Sequence, residues 1–342
     1  MKRFTFSMLI MSLLLVVLFV ANLVWGAENI PMQDVWAALT TGHSSNDAWT
    51  FIMLESRLPQ AITALFCGAG LSVAGLMLQT IFSNPLAGPS ILGINTGASL
   101  GVALIMLLLG GNLQVADYSF SGYVSVILGA FIGAMCVLGI ILFFSTLVKS
   151  NLMLLIIGIM VGYIASSAIS LLNFFATAEG VHSYMAWGMG NFSGVTTDQL
   201  GLYVGTIMIG LIISIFLMKP LNALLLGQRY AENLGVNIRR VRLWLLLAVG
   251  LLVAITTAFC GPVSFIGLAV PHVARMLLGS SNHNGLLPFT MITGAVIALI
   301  CNILSVLPGA TGLIPLNAVT PVIGAPVIIY VIINQRRLQY FN

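Results

Sequence analysis

The sequence has very little charge. Only 6% of its 342 residues are Asp, Glu, Lys or Arg, while 59% are apolar. A soluble domain carries about 25% charged residues, and a soluble chain of this length would need far more polar surface to enclose its core. This scarcity excludes an ordinary soluble protein and indicates that most of the surface faces lipid.

Cysteine is also scarce, and no two cysteines have the spacing of a zinc site or a disulfide framework. They stand singly in apolar stretches, at Cys67, Cys136, Cys260 and Cys301, so we interpret them as small buried hydrophobic residues. The four histidines are far apart and form no H-E-x-x-H motif. The sequence therefore predicts no metal site and no cofactor bound by this chain.

The sequence also lacks two features by which transport proteins obtain energy. No Asp, Glu, Lys or Arg lies in the middle of a long apolar run, whereas ion-coupled transporters and proton pumps carry ionisable residues inside their helices. The chain also lacks the G-x-x-x-x-G-K-[ST] phosphate loop. If the protein takes part in active transport, another chain must hydrolyse the ATP.

Long apolar runs are what the sequence has in abundance. About 20 apolar residues cross the hydrocarbon core of a bilayer, so the runs predict an all-α membrane protein with about ten transmembrane helices. We place them at about 4–26, 58–82, 91–110, 120–148, 152–176, 199–218, 241–260, 262–279, 286–307 and 313–334. We treat residues 1–342 as a single polytopic domain.

The charged residues orient these spans. With a cytoplasmic amino terminus, alternation places every basic residue except Arg57 inside: Lys2, Arg3, Lys149, Lys219, Arg229, Arg239, Arg240, Arg242, Arg275, Arg336 and Arg337. Most acidic residues then lie outside, at Glu28, Asp34, Asp47, Glu55, Asp117, Glu179 and Asp198, with Glu232 inside. The positive-inside rule thus predicts that both termini are cytoplasmic. Because the first run exceeds the apolar core of a secretory signal, about 7–15 residues, we favour a retained first span over a cleaved signal.

The longest polar interruption on the predicted cytoplasmic side is the loop at about 219–242. Residues 224–235 predict a short helix in this loop, with Gly235 as its C′ stop, and Asn237 can cap the next helix. Such a helix could dock a partner, or the basic residues of the loop could serve orientation only.

Residues 97–101 match the G-x-S-x-G nucleophile elbow, with Ser99 at its centre. That elbow needs a strand-to-helix turn with a His and an acid nearby, but this segment lies in an apolar run. Gly97 and Gly101 instead have the small-xxx-small spacing of a helix-packing face. The same spacing recurs at Gly129 and Gly133 and at Gly158 and Gly162. We predict that the chain is not an enzyme.

Several groups of residues, in order along the chain, resemble one known family. They are Arg57-Leu58-Pro59, the run S-N-P-L-A-G-P at 83–89, Gly227 with Ala231 and Leu234-Gly235, the run G-P-V-S-F-I-G-L-A-V-P-H-V-A-R at 261–275, and T-P-V-I-G-A-P-V at 320–327. Together they resemble the iron-siderophore and cobalamin permease family, often called FecCD-type. Its signature positions here are Asn84, Pro85, Gly267, Pro271, His272 and Arg275.

The resemblance implies the type II ABC importer permease fold. It also implies a function: import of an iron–siderophore or related metal chelate across the bacterial inner membrane by alternating access. Cobalamin and haem are alternative cargoes within the family. The implied partners are a second permease subunit in a homodimer, two copies of a cytoplasmic ATPase that uses the ATP, an extracytoplasmic solute-binding protein and membrane lipid, but no nucleic acid. A stand-alone secondary transporter or channel is the alternative outside the family, and the missing mid-span charges count against it.

The resemblance makes the predicted loop helix a coupling helix that fits a cleft on the ATPase. Its candidate contact residues are Gly227, Arg229, Tyr230, Glu232, Leu234 and Gly235. Arg229 and Glu232 are candidates for polar contacts, and Leu234 for an apolar anchor. A short rigid element between two spans can convert closure of the ATPase into tilting of helices.

Polar residues recur at helical spacing on one face of the fifth span: Tyr163, Ser166, Ser167, Ser170 and Asn173. They could line a translocation path or form hydrogen bonds between helices. The resemblance, in which the fifth and tenth spans line the passage, favours the path. We expect the outer loop at 184–190 to form part of its mouth, although its aromatic residues would also suit an interfacial belt.

Arg57 is the expected docking point for the binding protein, because the family places Arg residues on the outer face. The second Arg of the family's R-L-P-R is Gln60 here, a further expected Arg is Val306, and E-[LI]-P-[VI]-G is replaced by L-I-P-L-N at 313–317. We therefore expect docking to use other contacts, from Asp34, Asp47 or Glu55 to basic groups of the partner.

Two short segments resemble each other, G-P-S-I-L-G at 88–93 and G-P-V-S-F-I-G at 261–267. Transporters are often built from internal repeats with the substrate path between them. The similarity suggests, from a short match alone, that these segments occupy related places in the fold.

Overall fold

Helices make up most of the chain. The computed structural model describes residues 2–110, 112–115, 118–148, 150–306 and 312–333. Its helices are α1 (Lys2–Val24), α2 (Met32–Thr41), α3 (Asp47–Phe51), α4 (Leu58–Ile81), α5 (Ile94–Ala103), α6 (Tyr123–Leu147), α7 (Asn151–Phe175), α8 (Ala178–Gly188), α9 (Thr197–Phe216), α10 (Met218–Leu225), α11 (Gln228–Asn233), α12 (Ile238–Cys260), α13 (Ile266–Leu278), α14 (His283–Ser305) and α15 (Leu316–Ile333). A π-helical turn, Ile52–Arg57, precedes α4, and another, Leu104–Leu108, follows α5. A 3-10 turn, Pro89–Leu92, precedes α5.

The described part of the chain also contains a short β-hairpin. Strands β1 (Asn112–Val115) and β2 (Tyr118–Ser121) pair antiparallel, with Asn112 opposite Ser121. The hairpin lies between α5 and α6, where the sequence predicts a connection between spans. The all-α fold class is therefore confirmed, and the hairpin is a small element in the connection between two spans.

Seven helical segments in the described part of the chain are long and apolar enough to cross a membrane. They are Phe4–Val24, Asp47–Ile81, Tyr123–Leu147, Asn151–Phe175, Thr197–Phe216, Ile238–Cys260 and His283–Ser305. Three shorter apolar helices, Ile94–Leu108, Ile266–Leu278 and Leu316–Val331, occupy the positions of the remaining predicted spans. The membrane prediction is thereby supported, while ten complete crossings and the orientation stay predictions.

Part of the charge argument falls outside the described residues. Lys149, Asp117, Arg336 and Arg337, the end of the predicted tenth span at 334 and the carboxyl terminus all lie there. The predicted cytoplasmic location of the carboxyl terminus is therefore left as an expectation.

Helix α4 lies at the centre of the bundle and packs against α9, α12, α13 and α14. Almost every residue from Pro59 to Ile81 is buried. The close approach depends on glycine: a Cβ on Gly75 would overlap the backbone of Gly267 in α13. Small residues drive helix association in lipid because they let backbones approach closely, so the Gly-rich face of α4 explains its central place.

Helices α5 and α6 pack through the small-residue spacing that the sequence predicts. A Cβ on Gly97 would lie 2.7 Å from the carbonyl oxygen of Gly133, and one on Gly101 would overlap the carbonyl of Gly129. This confirms that the Gly97–Gly101 motif packs helices. Ser99 lies within α5 and not on a strand-to-helix turn, so the arrangement of a nucleophile elbow is absent at this residue.

The predicted single helix at 224–235 is wrong. Gly227 has φ 99° and ψ 151°, a conformation suited to glycine and incompatible with a continuing helix, so α10 ends and α11 begins around it. The predicted stop at Gly235 is confirmed: its φ is 83°, its N–H donates to Glu232 (2.9 Å), and the N–H of Val236 donates to Ala231 (3.0 Å), which is a Schellman motif. The predicted cap is also confirmed, because the Asn237 side chain accepts from the N–H of Arg240 at 3.1 Å.

Candidate functional site

The loop between α9 and α12 presents an apolar ridge. Leu226, Tyr230 and Leu234, which we call the coupling ridge, are 59%, 52% and 59% exposed. Tyr230 and Leu234 are four residues apart, which brings them to one face of α11 and its C-terminal end, whereas Leu226 precedes the break at Gly227 and Ala231 is buried. Exposed large apolar side chains grouped together mark an interaction surface. Tyr230 and Leu234 are among the predicted coupling residues, and Leu226 was missed.

Polar groups flank this ridge. Arg229 and Glu232 are exposed, and the side-chain amide of Gln228 donates to the Glu232 carboxylate at 3.4 Å. Gly227 and Gly235 bound α11 at its two ends with positive φ. The six predicted coupling residues thus lie in one short stretch, with Arg229, Tyr230 and Glu232 on α11 and Gly227, Leu234 and Gly235 at its two ends. Their contact with an ATPase stays a prediction.

The predicted path residues lie on an exposed face of α7. Tyr163 is 67% exposed, and Ser166, Ser167 and Ser170 are also exposed. The Ser170 hydroxyl donates to the Ser166 carbonyl (3.1 Å), and the Asn173 amide to the Ile169 carbonyl (3.1 Å), both within α7. These two bonds lie within α7, and the role of this face as a translocation path stays a prediction.

Three of the family-signature residues, Pro85, His272 and Arg275, take part in two contacts at the end of α4. Arg275 donates to the side-chain oxygen of Gln79 at 2.6 Å, and the Gln79 amide donates to the carbonyl of Leu268 at 3.1 Å. His272 Nε2 lies 2.7 Å from the carbonyl oxygen of Pro85, which can only accept, so this nitrogen carries the proton. The signature thus holds α13 against α4 and against the following turn. Gln79, the residue at its centre, was missed because its partners are almost 200 positions away in the chain.

The other signature residues shape the same region. The Asn84 side-chain oxygen accepts from the N–H of Leu86 at 2.9 Å, closing a turn that leads into the 3-10 segment. A Cβ on Gly267 would lie 2.7 Å from Pro89, and Pro271 is buried inside α13. These residues bring the α4–α5 connection close to α13.

The two similar segments noted in the sequence meet around one cavity of about 230 Å³. Ser90 and Asn95 line one side and Ser264 and Phe265 the other. Phe265 has φ 66°, a strained conformation for a residue other than glycine. Non-helical backbone at membrane depth is tolerated where it is buried in protein or lines a cavity, which fits both segments.

Asn317 holds the strained segment from the α15 side. Its side-chain oxygen accepts from the N–H of Ser264 (3.1 Å), and its amide donates to the carbonyls of Pro262 (2.7 Å) and Gly188 (3.0 Å). In the sequence, Asn317 is recognisable only as a departure from the family pattern. Its partners lie 53 to 129 positions away along the chain, so no local signal identifies this role.

Arg57 does not have the environment of a docking residue. It is only 6% exposed, and its guanidinium donates to the carbonyls of Leu23 (3.0 Å), Val24 (2.9 Å) and Glu28. These carbonyls lie at and beyond the end of α1, where backbone acceptors lack helical partners. In this conformation Arg57 therefore joins α1 to α4, and its docking role stays a prediction.

The acidic residues proposed for docking are better placed for it. Asp47 and Glu55 are exposed, and Asp34 is half-buried. The side chain and the backbone N–H of Ser45 hydrogen-bond to Asp34 and lower the pKa of its carboxyl, so this charge persists at neutral pH. The Glu55 carboxylate accepts from the Thr197 hydroxyl at 2.8 Å.

Residues 14–334 match the model of the FecCD transport family. This chain belongs to that family. The FecCD assignment confirms the resemblance carried by the motifs, and the family match together with the apolar helices makes the chain an integral membrane transport protein. The enzyme alternative centred on Ser99 is not supported.

Two relatives of this FecCD chain illustrate the breadth of the match. The vitamin B12 import system permease protein BtuC of Citrobacter koseri is 34% identical over 283 residues, covering 83% of each chain. The hemin transport system permease protein HmuU of Yersinia pestis is 32% identical over 325 residues, covering 95% of this chain and 94% of that one. A solved structure described as a metal-chelate type ABC transporter in an inward-facing conformation has a TM-score of 0.81 and 29% identity, and the match covers 95% and 97% of the two chains. This likeness supports the predicted ABC-importer permease fold.

Proposed function

We propose that this chain is the permease subunit of an ATP-driven importer that moves a metal chelate across the bacterial inner membrane by alternating access. The coupling ridge is the observation that carries this proposal. An exposed apolar ridge in a short loop that contains α11 and lies between the long apolar helices α9 and α12 suits contact with a separate motor domain. The absence of a phosphate loop from the sequence requires such a partner.

The assembly that follows has two copies of this chain, two ATPase subunits and a solute-binding protein. A second permease subunit would cover the exposed polar face of α7 and close a path between the two copies. The wall of that path would be uncharged, made of Tyr163, Ser166, Ser167, Ser170 and Asn173. The binding protein would approach the opposite end, near Asp47 and Glu55.

We propose an iron–siderophore as the cargo, with cobalamin and haem as alternatives. The named relatives are permeases for vitamin B12 and hemin, which supports a bulky metal chelate as the class. A path wall of hydroxyl and amide groups can hydrogen-bond the polar rim of any of these chelates. Uptake of each labelled chelate by cells that express this chain with its transport partners distinguishes them.

Purification from native membranes in mild detergent tests the function. We expect an ATPase carrying a phosphate loop to co-purify at one copy per permease, and Leu234→Asp to release it because a charge on the ridge cannot enter an apolar cleft. Met32→Asp is the matched control, since Met32 is equally exposed but lies on α2, near the other end of α4. Flux through the purified chain alone, without nucleotide, would instead establish a stand-alone transporter.

A further inference from the structure

Helix α4 ends in three consecutive residues that each bond a different helix. Gln79 accepts from Arg275 of α13 at 2.6 Å. The Thr80 hydroxyl lies 2.9 Å from Nε2 of His283, the first residue of α14. The Ile81 carbonyl accepts from the Asn151 amide, the first residue of α7, at 2.6 Å. The end of α4 is therefore a junction of α13, α14 and α7.

His283 extends this junction to the coupling loop. Its backbone N–H donates to the side-chain oxygen of Asn222 in α10 at 2.7 Å, and its Nδ1 lies 3.1 Å from the same oxygen. The Asn222 amide nitrogen donates in turn to the side-chain oxygens of Asn282 (3.1 Å) and Asn284 (3.2 Å). Because the amide nitrogen has these two acceptors, the oxygen of Asn222 is the atom that faces the imidazole of His283.

The direction of each hydrogen bond follows. Because the Asn222 oxygen can only accept, the proton of the neutral ring is on Nδ1, and Nε2 can only accept from the Thr80 hydroxyl. That hydroxyl also donates to the carbonyl of Leu76 in its own helix at 2.9 Å, so its single proton is shared between two acceptors. Thr80 and His283 are almost fully buried. A buried hydrogen bond is strengthened by its low-dielectric surroundings, and breaking it leaves an unpaired polar group. The connection from Asn222 through His283 to Thr80 is therefore stiff.

The Asn222 end of this connection lies in the loop that carries the coupling ridge. Asn222 lies in α10, one helical turn before Leu226, and its neighbours Leu221 and Leu224 are buried. Helix α10 packs against α14, α4 and α11. Helix α10 thus contacts α11 on one side and is tied to the end of α4 through the bonds of His283 on the other.

We propose that the Asn222–His283–Thr80 bridge transmits movement of the coupling ridge to the end of α4, and from there, through the Ile81–Asn151 bond, to the start of the predicted path helix α7. The bridge is a positioning element and touches no cargo. This inference rests on the proposed function, because it requires an ATPase that moves the ridge.

Thr80→Val tests the bridge, since valine keeps the shape of threonine and removes the hydroxyl. Thr290→Val is the matched control: Thr290 is also buried, and its hydroxyl donates to Leu286 of its own helix. The double variant Thr80→Val/His283→Leu removes both polar partners, so that neither is left buried without the other. It separates loss of the bridge from loss of stability.

Spin labels are placed at Leu152, an exposed position beside Asn151, in both permease subunits of the complex with its ATPase, which is purified and returned to lipid vesicles. The readout is the change in the distance between the two labels when nucleotide is added. Transport per ATP hydrolysed is measured in the same vesicles. For Thr80→Val we expect the nucleotide-dependent distance change to be lost and transport per ATP to fall about five-fold, the factor for one buried hydrogen bond. The double variant should behave likewise, with ATPase binding retained and Thr290→Val unchanged.

The outcomes separate the two proposals. A normal distance change and normal transport per ATP in both Thr80 variants would overturn the bridge and leave the importer function intact. Variants that lose only thermal stability would also overturn the bridge, because removing a hydrogen bond with a purely structural role gives that result. A wild-type chain that binds no ATPase would overturn the proposed function, and the bridge with it.

Discussion

Arg57 donates a hydrogen bond of 2.9 Å to the carbonyl oxygen of Val24, the last residue of α1. The same guanidinium nitrogen reaches the carbonyl of Leu23 at 3.0 Å. One cation thus satisfies backbone acceptors that the end of a helix leaves unpaired. The relationship makes Arg57 part of the framework, and its consequence for stability can be measured.

Arg57→Met should destabilise the protein. Methionine keeps much of the side-chain volume but leaves the carbonyls at the end of α1 without a donor, at a cost of about 1–3 kcal/mol. Thermal unfolding in detergent measures the change. Arg229→Met, at an exposed position on α11, is the control and should leave the unfolding temperature unchanged. Unaltered stability of Arg57→Met combined with weaker capture of the binding protein would support the docking role.

Gly75→Ala should disturb the centre of the bundle. The added methyl group meets the backbone of Gly267, which cannot rotate away, so α4 and α13 must separate; overpacking of this kind costs roughly 1–3 kcal/mol. Gly139→Ala is the matched control, because a Cβ there meets no other atom within 4 Å. Unfolding curves of the two variants compare the effects. Equal stability would show that this close helix approach does not support the fold.

Ser170→Phe should block import and leave the fold intact. Ser170 is exposed on α7, so the bulky ring has room in one subunit but would narrow a path between two. We expect uptake of the chelate to fall by at least about ten-fold, which corresponds to a barrier of 1.4 kcal/mol. Val16→Phe on the exposed face of α1 adds a comparable ring and should leave uptake unchanged. Normal uptake by Ser170→Phe would place the path elsewhere.

The α2–α3 connection should loosen in acid. Hydrogen bonds from Ser45 lower the pKa of Asp34 in the folded protein, so this interaction contributes fully above the unfolded pKa of about 3.9. It is lost as the pH falls through the lower folded value. Hydrogen exchange at the Ser45 amide should therefore accelerate, relative to its intrinsic rate, below about pH 4. In Asp34→Ala the amide should exchange fast at every pH. Protection of Ser45 that does not change with pH would show that the carboxylate does not hold this turn.

Much of the coupling loop could be predicted from its own residues. The stop at Gly235 and the cap at Asn237 depend on neighbours in the chain, so glycine conformation and side-chain capping were enough to locate them. The break at Gly227 was missed, because glycine within an apolar stretch is compatible with both a continuing helix and a turn. Leu226 was missed with it, since the predicted helix placed no emphasis on the residue before the break.

The sequence by itself determined that this chain lies in a membrane, where its long helices fall and to which family it belongs. These conclusions follow from composition, apolar run length and the order of motifs, all of which can be read along the chain without knowing which residues meet in space. The tertiary structure alone decided what the polar residues inside the bundle do. It pairs Arg57 with the end of α1, Gln79 with Arg275 and His283 with Asn222 and Thr80. In lipid, a buried donor must find its acceptor within the protein, and helix packing brings together partners far apart in the chain.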